Sequence, residues 1–368
     1  MKISFILPEI GVSGGVRSTF EIANRLKAKG HDVSIIYPAV VASYGHKWYD
    51  LGRLAGRIIK TVKNLTGDSG VDWFDLKADL IMVPTLAERH IPEGDIIVAT
   101  WWSNAYDIAG YGPERGEKFY FIRSYEIWGG PKEKVDGSYK LPLKKIVTSS
   151  NLKHLIESKF NVSTLGPLPN GIDFDLFYRE NDSFDSHTPK RVGVLCRPGK
   201  GKGIEDALEA FRSAKKECSD MKLVLFGKRP SKKDLRTLGD EVPEEIHITP
   251  SGDDLRRIYN SLDIFIFSSR FEGFGNPPME AMACGAACIT TDVGAAPEYT
   301  QPGKTALMSP PGDVRSITDN LVQLAIDEDR RERIARSGYD FIKKFSWDDT
   351  VDRVEEIFSE TLKKGEGI

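Results

Sequence analysis

The sequence predicts an α/β protein made of two Rossmann-like, doubly wound domains facing across a cleft. Three observations carry this. Apolar β-rich runs alternate with amphipathic helical ones along the chain, the pattern of parallel sheets covered by helices. The 368 residues exceed one ordinary domain and suit two. The prolines and glycine of Leu165-Gly-Pro-Leu-Pro-Asn170 interrupt the alternation as a linker does.

The expected strands of the first series are Lys2 to Leu7, His31 to Tyr37, Asp79 to Val83, Asp95 to Thr100, Lys118 to Ile122 and Lys145 to Thr148. A helix from Val16 to Lys29 joins the first two and stops at Gly30, a residue suited to the left-handed turn that ends helices. After the linker the expected strands are Arg191 to Leu195, Lys222 to Phe226, Glu245 to Thr249, Asp263 to Ser268 and Ala287 to Thr291, with a helix from Ile204 to Lys216. The domain boundaries read as 1–165 and 166–345, followed by a helical segment, 346–368. In such folds ligands bind at the carboxyl ends of the strands.

Composition narrows the class. With 40% hydrophobic and 29% charged residues the chain reads as a globular protein. A net charge of −3 gives no support for nucleic-acid binding. Cys196, Cys218, Cys284 and Cys288 all lie in the second half without a partner pair of Cys or His, so small buried thiols in a reducing cytoplasm are expected rather than a metal site. Met1-Lys-Ile-Ser-Phe-Ile-Leu-Pro8 reads as a strand, not a secretion signal. No apolar run reaches bilayer-spanning length. Residues 51–65 place apolar residues at helical spacing beside Arg and Lys, with Trp48 and Tyr49 next to them. That pattern fits peripheral contact with an anionic membrane at its inner face, and more commonly a surface helix packed on a core.

The most informative stretch is Phe271-Glu272-Gly273-Phe274-Gly275-Asn276-Pro277-Pro278-Met279-Glu280, which follows the apolar run Asp263 to Ser268. Gly273 and Gly275 let the backbone bend through positive φ and approach a ligand closely. Pro277 and Pro278 suit a helix start, and the N–H groups there favour an anion such as a diphosphate. Acids repel phosphate but accept hydrogen bonds from hydroxyls. Glu272 therefore reads as a holder of sugar hydroxyls and Glu280 as a holder of the ribose diol. The plain alternative is a solvated loop acid and a helix-dipole acid.

This stretch closely resembles the Glu-x7-Glu motif of the large retaining glycosyltransferase family 4, which has the two-domain GT-B fold. Other landmarks of that family are similar here. Cys196-Arg197-Pro-Gly-Lys-Gly-Lys202-Gly203 resembles its diphosphate clamp, which implies that role for Arg197 and Lys202; a solvated basic turn is the alternative. The spacing is not that of a Walker loop. Gly11-Val-Ser13-Gly14-Gly15 lacks the dinucleotide fingerprint spacing. It looks like the family's Gly-Gly loop, which implies that Gly14 and Gly15 close over the donor phosphates. Pro169-Asn170-Gly171-Ile172-Asp173 matches the segment that begins the second domain, and Gly294-Ala-Ala-Pro297-Glu298 matches, with one extra alanine, the turn after the Glu-x7-Glu helix. By position, Gly227 and Lys228 would add a phosphate contact and Thr249 and Pro250 would line a nucleobase pocket. Gly273, Phe274, Gly275 and Asn276 complete the implied donor loop. The resemblance also implies that the Ser346-Trp347 segment leads a helix back onto the first domain.

One departure stands in the first domain. Many family members carry a His after the strand matching Lys118 to Ile122, whereas this chain has Arg123-Ser124-Tyr125-Glu126. That site is similar to bacterial rhamnosyltransferase-like members. Glu126 could orient an acceptor or take its proton, and a salt bridge with Arg123 is the other account. Trp101-Trp102 suits either a sugar platform or core packing.

The resemblance implies a retaining, metal-independent glycosyltransferase, cytoplasmic and without cofactor. It would move a sugar from a nucleotide-diphosphate sugar to a glycan, lipid-linked or other hydroxyl acceptor, in cell-surface polysaccharide or glycan assembly. Arg197, Lys202, Glu272 and Glu126 would be its catalytic residues. The competing readings are an epimerase or phosphorylase of the same architecture, and a non-catalytic subunit that binds sugar nucleotides.

Overall fold

In the computed structural model, which describes residues 1–40, 61, 71–180, 187–197 and 199–365, the chain divides into two units. One comprises Met1–Asn170 with Trp347–Ile368, the other Gly171–Ser346. The basic amphipathic stretch 51–65 lies outside the described residues, apart from Thr61.

Unit 1 contains β1 (Lys2–Ile6), α1 (Gly14–Ala28), β2 (Asp32–Pro38), β3 (Asp79–Val83), β4 (Ile96–Ala99), α2 (Trp102–Ala109), β5 (Glu117–Ile122), α3 (Lys132–Ser138), β6 (Lys144–Val147) and α4 (Ser150–Phe160). Its parallel sheet runs β3-β2-β1-β4-β5-β6. The central strands are apolar on both faces, as burial between two helix layers requires. Phe5, Phe119 and Phe121 pack on one face, and Ile6, Ile97 and Tyr120 on the other.

Unit 2 contains β7 (Lys190–Cys196), α5 (Ile204–Lys215), β8 (Met221–Gly227), α6 (Lys232–Thr237), β9 (Glu245–Ile248), α7 (Gly252–Asn260), β10 (Ile264–Phe267), α8 (Pro277–Ala283), β11 (Ala287–Thr291), α9 (Ala296–Tyr299), β12 (Leu307–Ser309), α10 (Val314–Ile326) and α11 (Glu328–Ile342). Its sheet runs β12-β11-β10-β7-β8-β9, the same winding with the direction of listing reversed. In both units the chain reverses its progress across the sheet between the first and fourth strands. That break opens a crevice at the carboxyl ends, where open α/β sheets bind ligands.

The final helix, α12 (Trp347–Gly365), lies on unit 1. Trp347, Val351, Val354 and Phe358 join the core around Phe5 and Phe20, and the Phe358 ring stands 4.8 Å from that of Phe119. Lys29 reaches Asp352 and Glu355 at 2.6 and 2.9 Å, and Thr350 donates to the Pro169 carbonyl.

Several boundaries differ from the sequence expectation. Strand β12 was not anticipated: three residues between Gly303 and Pro310 are too few to show a period. The unit boundary falls at Asn170 and Gly171, not at 165, because Leu165 pairs with Ile146 and Leu168 donates to the Val147 carbonyl. Helix α1 starts at Gly14, with Ser13 accepting from the Val16 N–H. Gly14 and Gly15 are thus the first turn of a helix and not a loop before one. Among the described residues no helix is long and apolar enough to cross a membrane.

Candidate functional site

The carboxyl ends of β7 and β10 deliver Arg197 and the segment Ser268 to Glu272 to the switch point of unit 2. There Arg197 Nη2 donates to Glu272 Oε1 at 2.6 Å and to Ser269 Oγ at 2.8 Å, Lys202 Nζ lies 3.0 Å from Glu272 Oε2, and Ser269 Oγ donates to Glu272 Oε1 at 2.7 Å. Three of the four residues assigned to catalysis therefore meet in one ion-pair triad. Burial by itself would raise the Glu272 carboxyl, but Arg197, Lys202 and the Ser269 hydroxyl hold it below the ordinary range. The two cations remain a quarter to a third exposed while the acid between them is 9% exposed. One acid against two cations leaves a net positive charge facing solvent.

The scaffold around the triad explains its order. The Arg197 guanidinium sits 4.9 Å over the Phe267 ring. Ser268 Oγ donates to the Gly203 carbonyl, and Arg270 N–H donates to the Gly201 carbonyl. Arg270 also grips Asp206 through two bonds of 2.6 and 2.8 Å. Gly203 adopts φ +63°, and a Cβ there would stand 1.8 Å from the Ser268 carbonyl oxygen. Only glycine permits this approach of the two loops.

The acidic loop differs from expectation in two respects. Of its glycines only Gly275 takes positive φ, at +98°, with its carbonyl accepting from the Tyr299 hydroxyl at 2.8 Å. The first two residues of α8 are prolines and have no N–H, so of the first three helical residues only Met279 can donate. The α8 start therefore offers fewer N–H donors to an anion than the sequence reading supposed. Glu280 accepts from the buried Tyr259 hydroxyl at 3.0 Å, apart from the partners of Glu272. Phe274 is buried, and its carbonyl accepts from Ala295 N–H in the Gly294 to Glu298 turn. Gly273 and Asn276 complete the loop.

At the ends of the neighbouring strands, Lys228 N–H donates to the Cys196 carbonyl, and Thr249 N–H donates to that of Gly227. Thr249 holds φ +52°, uncommon for a non-glycine residue. Lys228 is exposed beside the end of β7 and Thr249 beside the end of β8. All four cysteines are free thiols, and among the described residues no three His, Cys, Asp or Glu side chains cluster as a metal site.

Unit 1 is arranged otherwise. Glu126 is 2% exposed and accepts the Trp102 N–H at the start of α2 at 2.9 Å and the Tyr120 hydroxyl at 3.3 Å. Burial pushes its carboxyl up to about 8, against the opposing pull of those donors and Arg123. No salt bridge joins Glu126 to Arg123. Arg123 Nη1 instead donates to the Gly15 carbonyl and Thr19 Oγ1, both at 2.6 Å, because β5 ends beside α1. Trp102 is core, whereas Trp101 stacks edge-on against Trp128 at 5.1 Å, and Trp128 is 68% exposed.

Sequence reasoning missed Ser269, Phe267, Tyr259 and Trp128. Ser269 had a usable signal, as a polar residue just past the end of an apolar strand. Phe267 and Tyr259 act through rings that the chain pattern marks only as core.

Residues 189–327, inside unit 2, match the family model described as "Glycosyl transferases group 1". Among curated proteins, the capsular polysaccharide biosynthesis glycosyltransferase CapM of Staphylococcus aureus is 28% identical over 234 residues, 61% of this chain and 60% of the relative. The sulfoquinovosyl transferase SQD2 of Arabidopsis thaliana is 30% identical over 39% of the chain and 29% of its own length. The chain thus spans 60% or less of these relatives. Two solved structures align along nearly the whole chain. Anabaena Alr3699/HepE in complex with UDP and glucose has a TM-score of 0.73 at 15% identity, covering 98% of this chain and 100% of its own. Sucrose-phosphate synthase from Thermosynechococcus elongatus has a TM-score of 0.71 at 16% identity, covering 99% of each. At this identity the likeness carries the fold, which is the two-domain GT-B architecture.

Proposed function

We propose that the chain is a retaining glycosyltransferase that moves a sugar from a nucleotide-diphosphate sugar, bound by unit 2, to a hydroxyl of a glycan or lipid-linked acceptor, bound by unit 1. The observation that carries the reading is the Arg197–Glu272–Lys202 triad at the switch point, within the segment that matches the group 1 family model. CapM, named for capsular polysaccharide biosynthesis, supports a role in cell-surface polysaccharide or glycan assembly.

In this reading Arg197 and Lys202 hold the diphosphate, assisted by Lys228. Glu272 binds sugar hydroxyls, Glu280 the ribose diol, and Thr249 lines the base. The bond from the anomeric carbon to the diphosphate oxygen breaks, and the acceptor oxygen bonds to that carbon on the same face. The acceptor proton passes to the departing diphosphate. Preorganised cations stabilise the charge developing on the leaving group, commonly the largest single contribution to such rates. Glu126, buried behind Trp102, acts as a positioning group for the acceptor wall.

The test is nucleoside diphosphate release from a panel of UDP-, GDP-, ADP- and dTDP-sugars, with and without chelator. Arg197→Ala and Lys202→Ala serve as controls. Turnover of one donor that survives chelation and drops in both variants is expected. Binding without turnover, with acceptors of every class supplied, would favour a non-catalytic subunit.

A further inference from the structure

We propose that unit 2 carries a second anion site, at the opposite pole of its sheet from the triad, that takes a phosphate-type group. The turn Gln301 to Ala306 leads into β12, and every strand of this sheet is parallel. The turn therefore lies at the amino ends of the strands, whereas Arg197 and Glu272 follow the carboxyl ends of β7 and β10. Here a cavity of about 350 Å³ is lined by Lys304 from the turn and by Arg330, Arg333, Ile334 and Ser337 from α11, with Asp327 at the helix start.

Charge distinguishes this cavity from ordinary surface. Among the described residues no ion pair engages Lys304, Arg330 or Arg333, while on the same helix Arg331 pairs with Glu328 at 3.0 Å and bonds the Leu324 carbonyl. Asp327 supplies the sole acid of the lining, and its Oδ1 is already occupied by the Arg330 N–H at 2.9 Å. Three cations against one acid leave an excess of two positive charges around one concavity.

The walls are fixed before any ligand arrives. Gln301 accepts the N–H groups of Lys304 and Thr305, and Gly303 donates to the Ala306 carbonyl. Gly338 brings α11 so close that a Cβ there would stand 2.8 Å from the Thr305 carbonyl oxygen. The turn bearing Lys304 and the helix bearing both arginines are thus locked together, with buried Ile334 as the floor.

Three cationic donors and the Ser337 hydroxyl, converging from two elements, exceed what one carboxylate accepts and match the three oxygens and double charge of a phosphate. A single cavity on a chain of net charge −3 is not the extended basic stripe that nucleic acid requires. The phosphate can belong to a soluble small molecule or to an anionic lipid headgroup. This site is independent of the reading of the triad.

The test titrates the full chain with sodium phosphate and pyrophosphate by calorimetry. In parallel the chain is co-sedimented with phosphatidylcholine vesicles with and without phosphatidylglycerol. Wild type is compared with the triple variant Lys304→Ala, Arg330→Ala, Arg333→Ala, and with Arg197→Ala/Lys202→Ala, which removes the competing cations at the triad. The triple variant is expected to lose affinity by about tenfold or more in one arm, since it removes the charge-assisted donors, while the triad variant keeps that binding. Loss of phosphate binding assigns a soluble ligand, and loss of vesicle binding a lipid headgroup. Should the triple variant melt early, Arg333→Gln, an exposed single change, gives the same comparison at smaller amplitude. Binding of neither probe by wild type, or equal binding by wild type and variants, overturns the proposal.

Discussion

Glu272→Gln separates what the triad does for stability from what it does for a ligand. The change keeps the side-chain shape and removes the negative charge 2.6 Å from Arg197 and 3.0 Å from Lys202. Breaking a fully buried pair costs about 3–5 kcal/mol. Both cations are partly exposed, at 25% and 30%, and solvent screening reduces the expected cost to about 2 kcal/mol. For a unit of this size that lowers the melting temperature by about 4–8 °C. The effect on an anion has the opposite sign. A carboxylate about 6 Å from a diphosphate charge, at an effective dielectric of about 40, repels it by about 1.4 kcal/mol, so the variant binds nucleoside diphosphate about tenfold more tightly. On the proposed reading sugar transfer falls, because the acid assigned to the sugar hydroxyls is gone. The stability difference also depends on pH. The folded Glu272 carboxyl is held below its ordinary value, so its contribution is complete above the ordinary carboxylate range and fades as pH falls through the lower folded value. Scanning calorimetry across acidic pH and titration with UDP and GDP test both arms. Unchanged melting together with weaker diphosphate binding would refute the argument, since Arg197 and Lys202 would then not face the ligand.

Three further outcomes are expected. Glu126→Gln flattens a pH profile. The folded carboxyl titrates near 8 against an ordinary value of 4.5, so wild type loses stability as pH rises through that window, by at most about 5 kcal/mol, and the variant is the more stable at pH 9; parallel melting curves from pH 5 to 9 would contradict this. Gly203→Ala drives a Cβ into the Ser268 carbonyl from a left-handed backbone and lowers stability by about 2 kcal/mol or more; a variant as stable and as active as wild type would show that the loop relaxes freely. Trp128→Ala changes stability by less than about 0.5 kcal/mol, because the ring is mostly exposed. It raises the KM for a sugar acceptor and leaves nucleotide affinity unchanged, which acceptor and donor titrations separate.

The legible part of the fold was what periodicity records. The central strands of both sheets are apolar runs, and their alternation with helices marks the sheets as parallel. Strand β12, three residues long, has no period to read, and Leu165 to Asn170 looked like a linker because proline and glycine mark turns whether or not the turn is docked on a sheet. In the site, the charged members announced themselves. Arg197, Lys202 and Glu272 stand beside glycines after apolar strands, a placement that local sequence can show. Which of them touch one another cannot be read that way, since 75 residues separate Arg197 from Glu272 and only the sheet order makes the two loops neighbours. Glu126 and Arg123 mark the limit from the other side. They are near in sequence and opposite in charge, yet the end of β5 turns Arg123 toward α1 and Glu126 toward α2.

The two units share a winding, and the difference between their switch points follows from the partners each cation meets. Arg123 is half-buried, with Nη1 shared between the Gly15 carbonyl and Thr19 Oγ1 of α1, and burial drops its guanidinium to about 10 despite the nearby Glu126. Its bonds go to the first turns of α1, so it serves to fix the start of that helix. Arg197 and Lys202 keep part of their surface in water, and their partner Glu272 remains ionised between them. Their bonds can be traded for those of an incoming anion at modest cost, because the exchange replaces one oxygen acceptor by another and leaves no cation bare. The same sheet order therefore yields a fixed brace in one unit and an exchangeable grip in the other. Which one forms is decided by whether the cation after the strand meets the start of a helix or a carboxylate across the switch point.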